Sequence, residues 1–311
     1  MDDVWVSRYF LEAAGSLNAR SQRVVYEGVL VRIGSGFGCL HPWPELGDPT
    51  VIECLQDLAR GRETALVKKT LACIEVDGKA REEGRSLFDE LKVPSSHATL
   101  PVLTEAAVEE AVSKGFGFVK TKAGRGGVSE LELIRSLVRT WPELRWRIDY
   151  NEAGLFEEIV AGFRNWDAAE LGVIDFLEDP VRYDPVKWRD LSKVTGLSLG
   201  NDRHQEEDDG SSAVLVQKPA VDILRKGRQR MVVTSYMDHP VGQCYAAWEA
   251  ARIGCREVCG LQTHGLFKRD EFTELLGAVG PDFVVPDGPG LGFGDLLEGL
   301  EWKRLARDSE G

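Results

Sequence analysis

The sequence predicts an α/β fold: a (β/α)7β-type TIM barrel with an N-terminal α+β capping domain that is completed by the C-terminal tail. Three observations carry this. From Ala98 onward, strand-like and helix-like segments alternate strictly. The residues before Ala98 lack that alternation. Ionisable side chains also collect at the ends of five successive predicted strands, the end of a barrel where active sites form.

The capping domain is expected over residues 1–95, with the return over 280–311 and the barrel over 96–279. Val24–Ile33 has strand composition and runs into the glycine-rich Gly34–Gly38. The loop His41–Pro49 follows, then two helical stretches, Thr50–Arg60 and Glu63–Leu91. The second carries apolar residues at helical spacing around Leu66, Leu71 and Ile74. The barrel strands are expected at Ala98–Leu103, Gly117–Lys122, Leu144–Asp149, Val173–Glu178, Leu197–Asp202, Ala213–Lys218, Met231–Ser235 and Gly260–Thr263. The intervening helices are Glu105–Ser113, Ser129–Trp141, Phe156–Leu171, Pro185–Thr195, a short one at Ala220–Gln229, and Gly242–Ile253. The tail from Val284 is too irregular for a barrel unit and should cross back onto the cap. The cap should pack over the C-terminal mouth of the barrel, with the region around Asn18–Arg23 and the His41–Asp48 loop lining the pocket. The acidic run Glu206–Asp209 reads as a solvated loop.

Composition narrows the function. The chain has 311 residues, 43% of them hydrophobic and 29% charged, which suits a globular protein with a sizeable core. Its net charge of −13 argues against nucleic acid as partner, because phosphate binding needs clustered Lys and Arg. No apolar run reaches the roughly 18 residues of a membrane helix. The opening MDDVWVSRYFLEAAG lacks a basic-then-apolar signal pattern, so a cytoplasmic protein is expected, a monomer or small homo-oligomer with no membrane partner. The six cysteines contain no C-x-x-C pair and read as buried thiols, with a zinc site as the alternative. The Gly34–Gly38 stretch is followed by HPWPELGDP and not by a helix, which argues against the dinucleotide fingerprint.

The polar residues at the strand ends carry the chemistry. The second barrel strand ends with Lys120 and Lys122, and the third with Arg147, Asp149 and Asn151. The fourth ends at Glu178, the fifth at Asp202 and the sixth at Lys218. Side chains two apart on a strand share a face, so each set can point into one mouth. A single acid at a strand end is usually a helix N-cap, and a single lysine is usually surface. Five successive strands ending Lys, Asp, Glu, Asp, Lys are not explained that way.

Three converging carboxylates repel one another unless a cation joins them. All-oxygen ligation by Asp149, Glu178 and Asp202 favours Mg²⁺, with Mn²⁺ as substitute. Lys122 and Lys218 would flank the cation on opposite sides of the barrel, the arrangement that proton abstraction next to a carboxylate requires. Lys120, two residues from Lys122, adds positive charge that favours the neutral, basic form of Lys122. A small anionic substrate is implied.

In this order, K-T-K, R-I-D-Y-N, F-L-E-D-P, N-D and Q-K-P resemble the enolase superfamily, muconate-lactonizing subgroup, and within it the o-succinylbenzoate synthases. Gly36–Pro44 resembles that family's cap segment around W-G-E-x-S-P-L-P. Val232–Gly242 resembles its seventh-strand serine segment, and Pro289–Gly292 its C-terminal return. The resemblance implies a Mg²⁺-dependent lyase, a dehydratase of menaquinone biosynthesis, with Lys122 as base and Lys218 as anion stabiliser. It implies Arg147 and Asn151 supporting the substrate site, and Ser235 and the Gly260 backbone touching a substrate carboxylate. The chain departs from the pattern at Cys39, where the family has an acid. It departs again at Asp202-Arg203-His204, where the family has D-E-S, and at Thr234-Ser235, where it has S-S. N-succinylamino acid racemases and dipeptide epimerases share the architecture. The epimerases' D-x-D on the eighth strand is replaced here by L-Q-T-H-G. A barrel that only binds a metabolite is the reading of another class, and retention of both lysines and all three acids opposes it.

Overall fold

The computed structural model describes residues 3–15, 17, 23–124, 126–219 and 229–306. The chain opens with an antiparallel sheet of β1 (Val4–Glu12), β2 (Val25–Ile33) and β3 (Gly36–Leu40). The sequence reading identified only the middle strand. The glycine-rich stretch is a hairpin: Ile33 pairs with Gly36, leaving a two-residue turn with Gly34 at φ 59°. Such a turn demands positive φ, which glycine adopts without strain.

The next two glycines serve helix packing. A Cβ on Gly36 would lie 2.1 Å from the Ile74 carbonyl oxygen, and one on Gly38 2.7 Å from that of Thr70. Backbone therefore meets backbone where α2 (Ala65–Glu82) crosses the sheet. Before it, α1 (Val51–Ala59) starts from a capping box between Thr50 and Glu53, which satisfies two backbone donors. The predicted helix Glu63–Leu91 stops at Glu82 because Gly84, at φ 64°, turns the chain.

The barrel follows: β4 (Ala98–Leu100), α3 (Glu105–Ser113), β5 (Phe118–Lys122), α4 (Gly127–Thr140), β6 (Arg145–Asp149), α5 (Phe156–Phe163), α6 (Ala168–Gly172), β7 (Ile174–Glu178), α7 (Pro185–Thr195), β8 (Leu199–Asn201), β9 (Val214–Gln217), β10 (Arg230–Val233) and α8 (Pro240–Arg252). The stretch Phe156–Leu171 splits in two because Asp167 caps a new helix start with Glu170. The expected helix Ala220–Gln229 lies almost wholly outside the described residues.

The seven strands form one parallel sheet in the order β10-β9-β8-β7-β6-β5-β4. The eighth position, expected at Gly260–Thr263, is reduced to two parallel bridges, Ser96 with Cys259 and Thr234 with Gly260. The Cys259 amide donates to the Ser95 carbonyl (2.7 Å) and the Gly260 amide to that of Val233 (2.8 Å), which closes the ring. The outer faces of β4–β8 and their helices share one core around Val119, Ile134, Trp146, Leu177 and Trp188. The lumen is filled by Phe176, Val214, Val216 and Val232.

The tail returns to the cap, as expected. After α9 (Glu271–Leu275) and α10 (Gly294–Glu298), β11 (Lys303–Arg304) adds to the edge of β1. Leu291 donates its amide to Asp77 of α2 (2.7 Å). The cysteines are free, all buried except the half-buried Cys255. Glu206, Glu207 and Asp209 are exposed, but Asp208 is half-buried and accepts from Ser212 and Tyr183. Among the described residues, no helix is long and apolar enough to cross a membrane.

Burial makes the cap sensitive to acid. His41 is held down to about 3, chiefly by burial and secondarily by the Lys69 charge. The unfolded chain therefore takes a proton below about pH 6.5 that the folded chain refuses, and stability is lost as pH falls from there toward 3. His41→Asn keeps an oxygen that can accept from Tyr9 but cannot titrate. Between pH 7.5 and 5, denaturant unfolding should show a stability loss about 2 kcal/mol smaller in this variant than in the parent. The same loss in both would remove His41 from the acid response.

Candidate active site

Strand register sets the height of the key groups. Lys122 pairs with Asp149, Asp149 with Glu178, and Glu178 with Gly200, so the first three side chains stand level on adjacent strands. Gly200 is glycine for a local reason: a Cβ there would meet the Phe176 ring at 2.7 Å. Asp202 and Lys218 follow just beyond the ends of β8 and β9. β9 is the fourth strand along from β5, which places Lys218 across the barrel from Lys122.

These side chains line a cavity of about 480 Å³ at the C-terminal mouth. It holds Lys120, Lys122, Asp149, Asn151, Glu178, Asp202, Lys218, Ser235 and Gly260 of the residues singled out in the sequence. The cap reaches it through Leu17, Leu46 and Asp48, so part of the expected His41–Asp48 loop walls the mouth. Of the other expected cap segment, Asn18–Gln22 lies outside the described residues. Arg23 forms an ion pair with Glu45 (2.7 Å) instead of lining the cavity.

Lys120 Nζ sits 3.1 Å from Asp149 Oδ2 and 2.6 Å from Glu178 Oε1. Burial opposes its charge, but Asp149 and Glu178 outweigh that and raise its pKa. Lys218 is ion-paired with Asp202. Lys122 Nζ donates to the Leu17 carbonyl (3.0 Å). Burial pushes Glu178 up to about 7; Lys120 opposes the shift, and Asp149 and Asp202 add to it. Asp202 is lowered despite its burial because Lys218 and Lys120 face it.

As the side chains stand, no three acids among the described residues close on a common point; Lys120 lies between two of them. The donor set nevertheless suits a hard divalent cation. All the groups are carboxylates, they repel one another, and Glu178 Oε2 is buried with no partner among the described residues.

One expectation is corrected and another is placed one layer deeper. Arg147 does not line the cavity itself but stands behind it, hydrogen-bonded to the cavity residue His97 (2.9 Å). It lies in the lumen below Asp149, fully buried, donating to Asp175 (2.8 Å) and the Val258 carbonyl (2.8 Å), with its guanidinium over the Phe118 and Phe176 rings. Two residues lower on an inward face means the same direction but a deeper layer. The Gly260 backbone is also committed. Its amide serves Val233, and its carbonyl accepts from Ser235. What Gly260 offers is space, since a Cβ would lie 2.8 Å from His97 and Thr234.

Several cavity groups were not selected from sequence. Arg203 donates to Asn151 Oδ1 (3.0 Å) and lies 3.7 Å from Asp179. Its only signal was departure from the D-E-S pattern. Thr263 hydrogen-bonds Ser235 (2.6 Å), and Tyr236 and Met237 form one wall.

Residues 4–80 match the family model for the O-succinylbenzoate synthase N-terminal domain. The whole chain is 30% identical to the o-succinylbenzoate synthase of Bdellovibrio bacteriovorus, with 96% of this chain and 97% of that one covered. The chain belongs to the o-succinylbenzoate synthase family. Solved structures of the wider enolase superfamily share the fold of this synthase-family chain. A mandelate racemase/muconate lactonizing protein from Herpetosiphon aurantiacus superposes with TM-score 0.79 at 16% identity, covering 94% of this chain and 97% of that one. A dipeptide epimerase from Enterococcus faecalis V583, complexed with Mg and L-Leu-L-Tyr, superposes with TM-score 0.76 at 16% identity, covering 94% and 98%.

The deeper position of Arg147 has a measurable consequence. Removing a buried charge that neutralises another typically costs about 3–5 kcal/mol. Arg147→Met should lower unfolding stability by that order while leaving KM of the folded enzyme near the parent value. A large rise in KM without loss of stability would return Arg147 to the substrate site.

Proposed function

We propose that the chain is an o-succinylbenzoate synthase. It would remove water from 2-succinyl-6-hydroxy-2,4-cyclohexadiene-1-carboxylate by syn elimination, giving the aromatic product used in menaquinone biosynthesis. The observation that carries this reading is the pair of lysines on opposite walls with three carboxylates between them.

Asp149, Glu178 and Asp202 would hold Mg²⁺, with Mn²⁺ as substitute. When bound, the cation supplies charge neutralisation for the substrate carboxylate as it gains enediolate character. Lys122 takes the proton from the carbon next to that carboxylate. In a syn elimination the proton and the hydroxyl leave from one face, so the resulting Lys122 ammonium is placed to protonate the departing oxygen. The proton thus leaves as part of the water. Lys218, anchored by Asp202, stays a fixed cation facing the charge that develops on the other side. Lys120 screens Asp149 and Glu178 from one another. Ser235, Thr263 and Arg203 supply donors toward the remainder of an anionic substrate, and Asn151 is oriented by Arg203. The cap residues Leu17 and Leu46 exclude water.

A second reading has its own support. Two lysines on opposite faces are also what a two-base racemisation of an N-succinylamino acid needs. Mixing the protein, Mg²⁺ and the cyclohexadiene substrate and following absorbance as the ring becomes aromatic decides for the synthase. Solvent-deuterium exchange into an N-succinylamino acid with no aromatisation decides for the racemase.

Calorimetric titration with Mg²⁺ should show binding that Asp149→Asn or Glu178→Gln largely removes. Equal heats from parent and both variants would sink the metal assignment.

The lysines should divide the labour. Either alanine variant should lose nearly all turnover; loss of base catalysis at Lys122 is worth about 10² to 10⁴-fold. Lys218→Arg should keep more activity than Lys122→Arg, because arginine retains charge but cannot act as a base. Residual exchange of the substrate α-proton with solvent should survive in Lys218→Ala and vanish in Lys122→Ala. Exchange surviving only without Lys122 would reverse the roles.

A further inference from the structure

The turn that follows β10 carries Tyr236 and Met237 into the cavity wall, and it is gripped from the cap side. Lys69 of α2 reaches Asp238 at 2.8 Å, with the two side chains 1% and 0% exposed. Trp43 of the cap loop donates its indole N–H to the Tyr236 carbonyl (2.9 Å), and the Tyr236 hydroxyl donates to Asp48 of the same loop. Met237, between the two anchored residues, is held at φ 51°, a region costly for a residue with a side chain. The surroundings are shaped around Asp238. Gly242 leaves room for its carboxylate, which a Cβ would meet at 2.1 Å, and Gln243 donates to its backbone carbonyl (2.7 Å). Neither Lys69 nor Asp238 lines the cavity.

A buried ion pair is a poor device for stability alone. The cost of removing two charges from water offsets most of their attraction, and a packed apolar pair would hold as well. What the charged pair adds is a single geometry, since a buried carboxylate and ammonium tolerate no sliding without losing each other. Asp238 Oδ1 is buried with no partner among the described residues, so Lys69 is the cation on which this carboxylate depends.

We propose that Lys69 and Asp238 are positioning residues that fix the Tyr236–Met237 wall against the cap and thereby set the fit of the substrate's part distant from the reacting carboxylate. The effect on substrate rests on the synthase reading; the effect on the turn does not.

The test uses the full-length Mg²⁺-loaded enzyme with Lys69→Met, Asp238→Asn and the double variant Lys69→Met/Asp238→Leu. Each single change should lower the unfolding temperature, and the double change should recover most of that loss. KM for the cyclohexadiene substrate should nonetheless stay about tenfold or more above the parent value in the double variant, with kcat little changed. Amide hydrogen exchange of residues 234–239, measured without substrate, should be faster than in the parent. That readout stands even if the parent fails to turn over the substrate, a result that would count against the synthase reading alone. Should the double variant not fold, Asp238→Asn supplies the same two measurements. Parent-like KM together with parent-like exchange in a stable variant would reduce the pair to a structural contact and overturn the proposal.

Discussion

Like charges forced together in one barrel mouth are the constraint on which the rest of the site depends. Asp149, Glu178 and Asp202 share a cavity; burial, with the Asp149 and Asp202 charges adding to it, holds Glu178 at about 7 despite a lysine beside it. Asp179, nearly fully buried beneath Asp202, is pushed well up by burial and by the same neighbours. Such a cluster survives only with compensating positive charge. Lys120 supplies it between Asp149 and Glu178, Lys218 at Asp202, and Arg203 near Asp179. The surplus negative potential that remains is what makes a divalent cation welcome, and the buried, unpartnered Glu178 Oε2 marks where that potential is least satisfied.

The cap follows from the same constraint. A mouth lined with charges works on a substrate carbanion only if bulk water is kept out, because water screens the fields that stabilise developing charge. The cap contributes Leu17, from between β1 and β2, and Leu46 and Asp48, from the segment after β3, to the walls of that mouth. Cap and barrel meet through an apolar cluster that joins Leu30, Phe37 and Cys73 to Val233, Val241 and Ala246, with a buried polar chain at its edge. Tyr9, His41 and Cys39 form one chain of hydrogen bonds that ends beside Asp238. Burial raises the Cys39 thiol to about 12, so this position in the chain of hydrogen bonds is a neutral group. The negative charge at this junction sits on Asp238 instead, balanced by Lys69 from the cap.

The barrel was legible because its physics is periodic. Strands buried on both faces alternate with amphipathic helices, and residues two apart share a face; the mouth residues Lys122, Asp149 and Glu178 follow from that parity. What parity cannot supply is depth. Arg147 and Asp149 point the same way, yet one is packed between aromatic rings in the lumen and the other faces the cavity. The strands β1 and β3 escaped for a different reason. Along β1 the apolar Trp5 and Phe10 are exposed and Ser7 is buried, so polarity does not follow burial, while β3 is glycine-rich because a helix backbone lies against it. Glycine that serves close packing looks, in sequence, like glycine that serves a loop. The final barrel strand, expected over Gly260–Thr263, shrinks to bridges at Cys259 and Gly260, because composition marks where a strand lies and not how far its ladder runs.

The parts of the site differ in what they can say about chemistry. Lysine, three carboxylates and lysine around the mouth serve any reaction that begins by taking a proton next to a carboxylate, which is why one fold accommodates eliminations and racemisations alike. Under the proposed reading, discrimination falls to the groups that line the rest of the cavity: Arg203, Thr263, Ser235 and the Tyr236–Met237 wall, with the cap residues above them. These sit on irregular backbone. Asn151, Asp179 and Met237 all have positive φ without being glycine, a conformation that persists only where the surrounding contacts over-determine it. The reaction's first step is therefore written in the regular elements, where sequence periodicity exposes it. The choice of substrate is written in turns whose shape is imposed from outside by residues as remote in sequence as Trp43, Lys69 and Asp48.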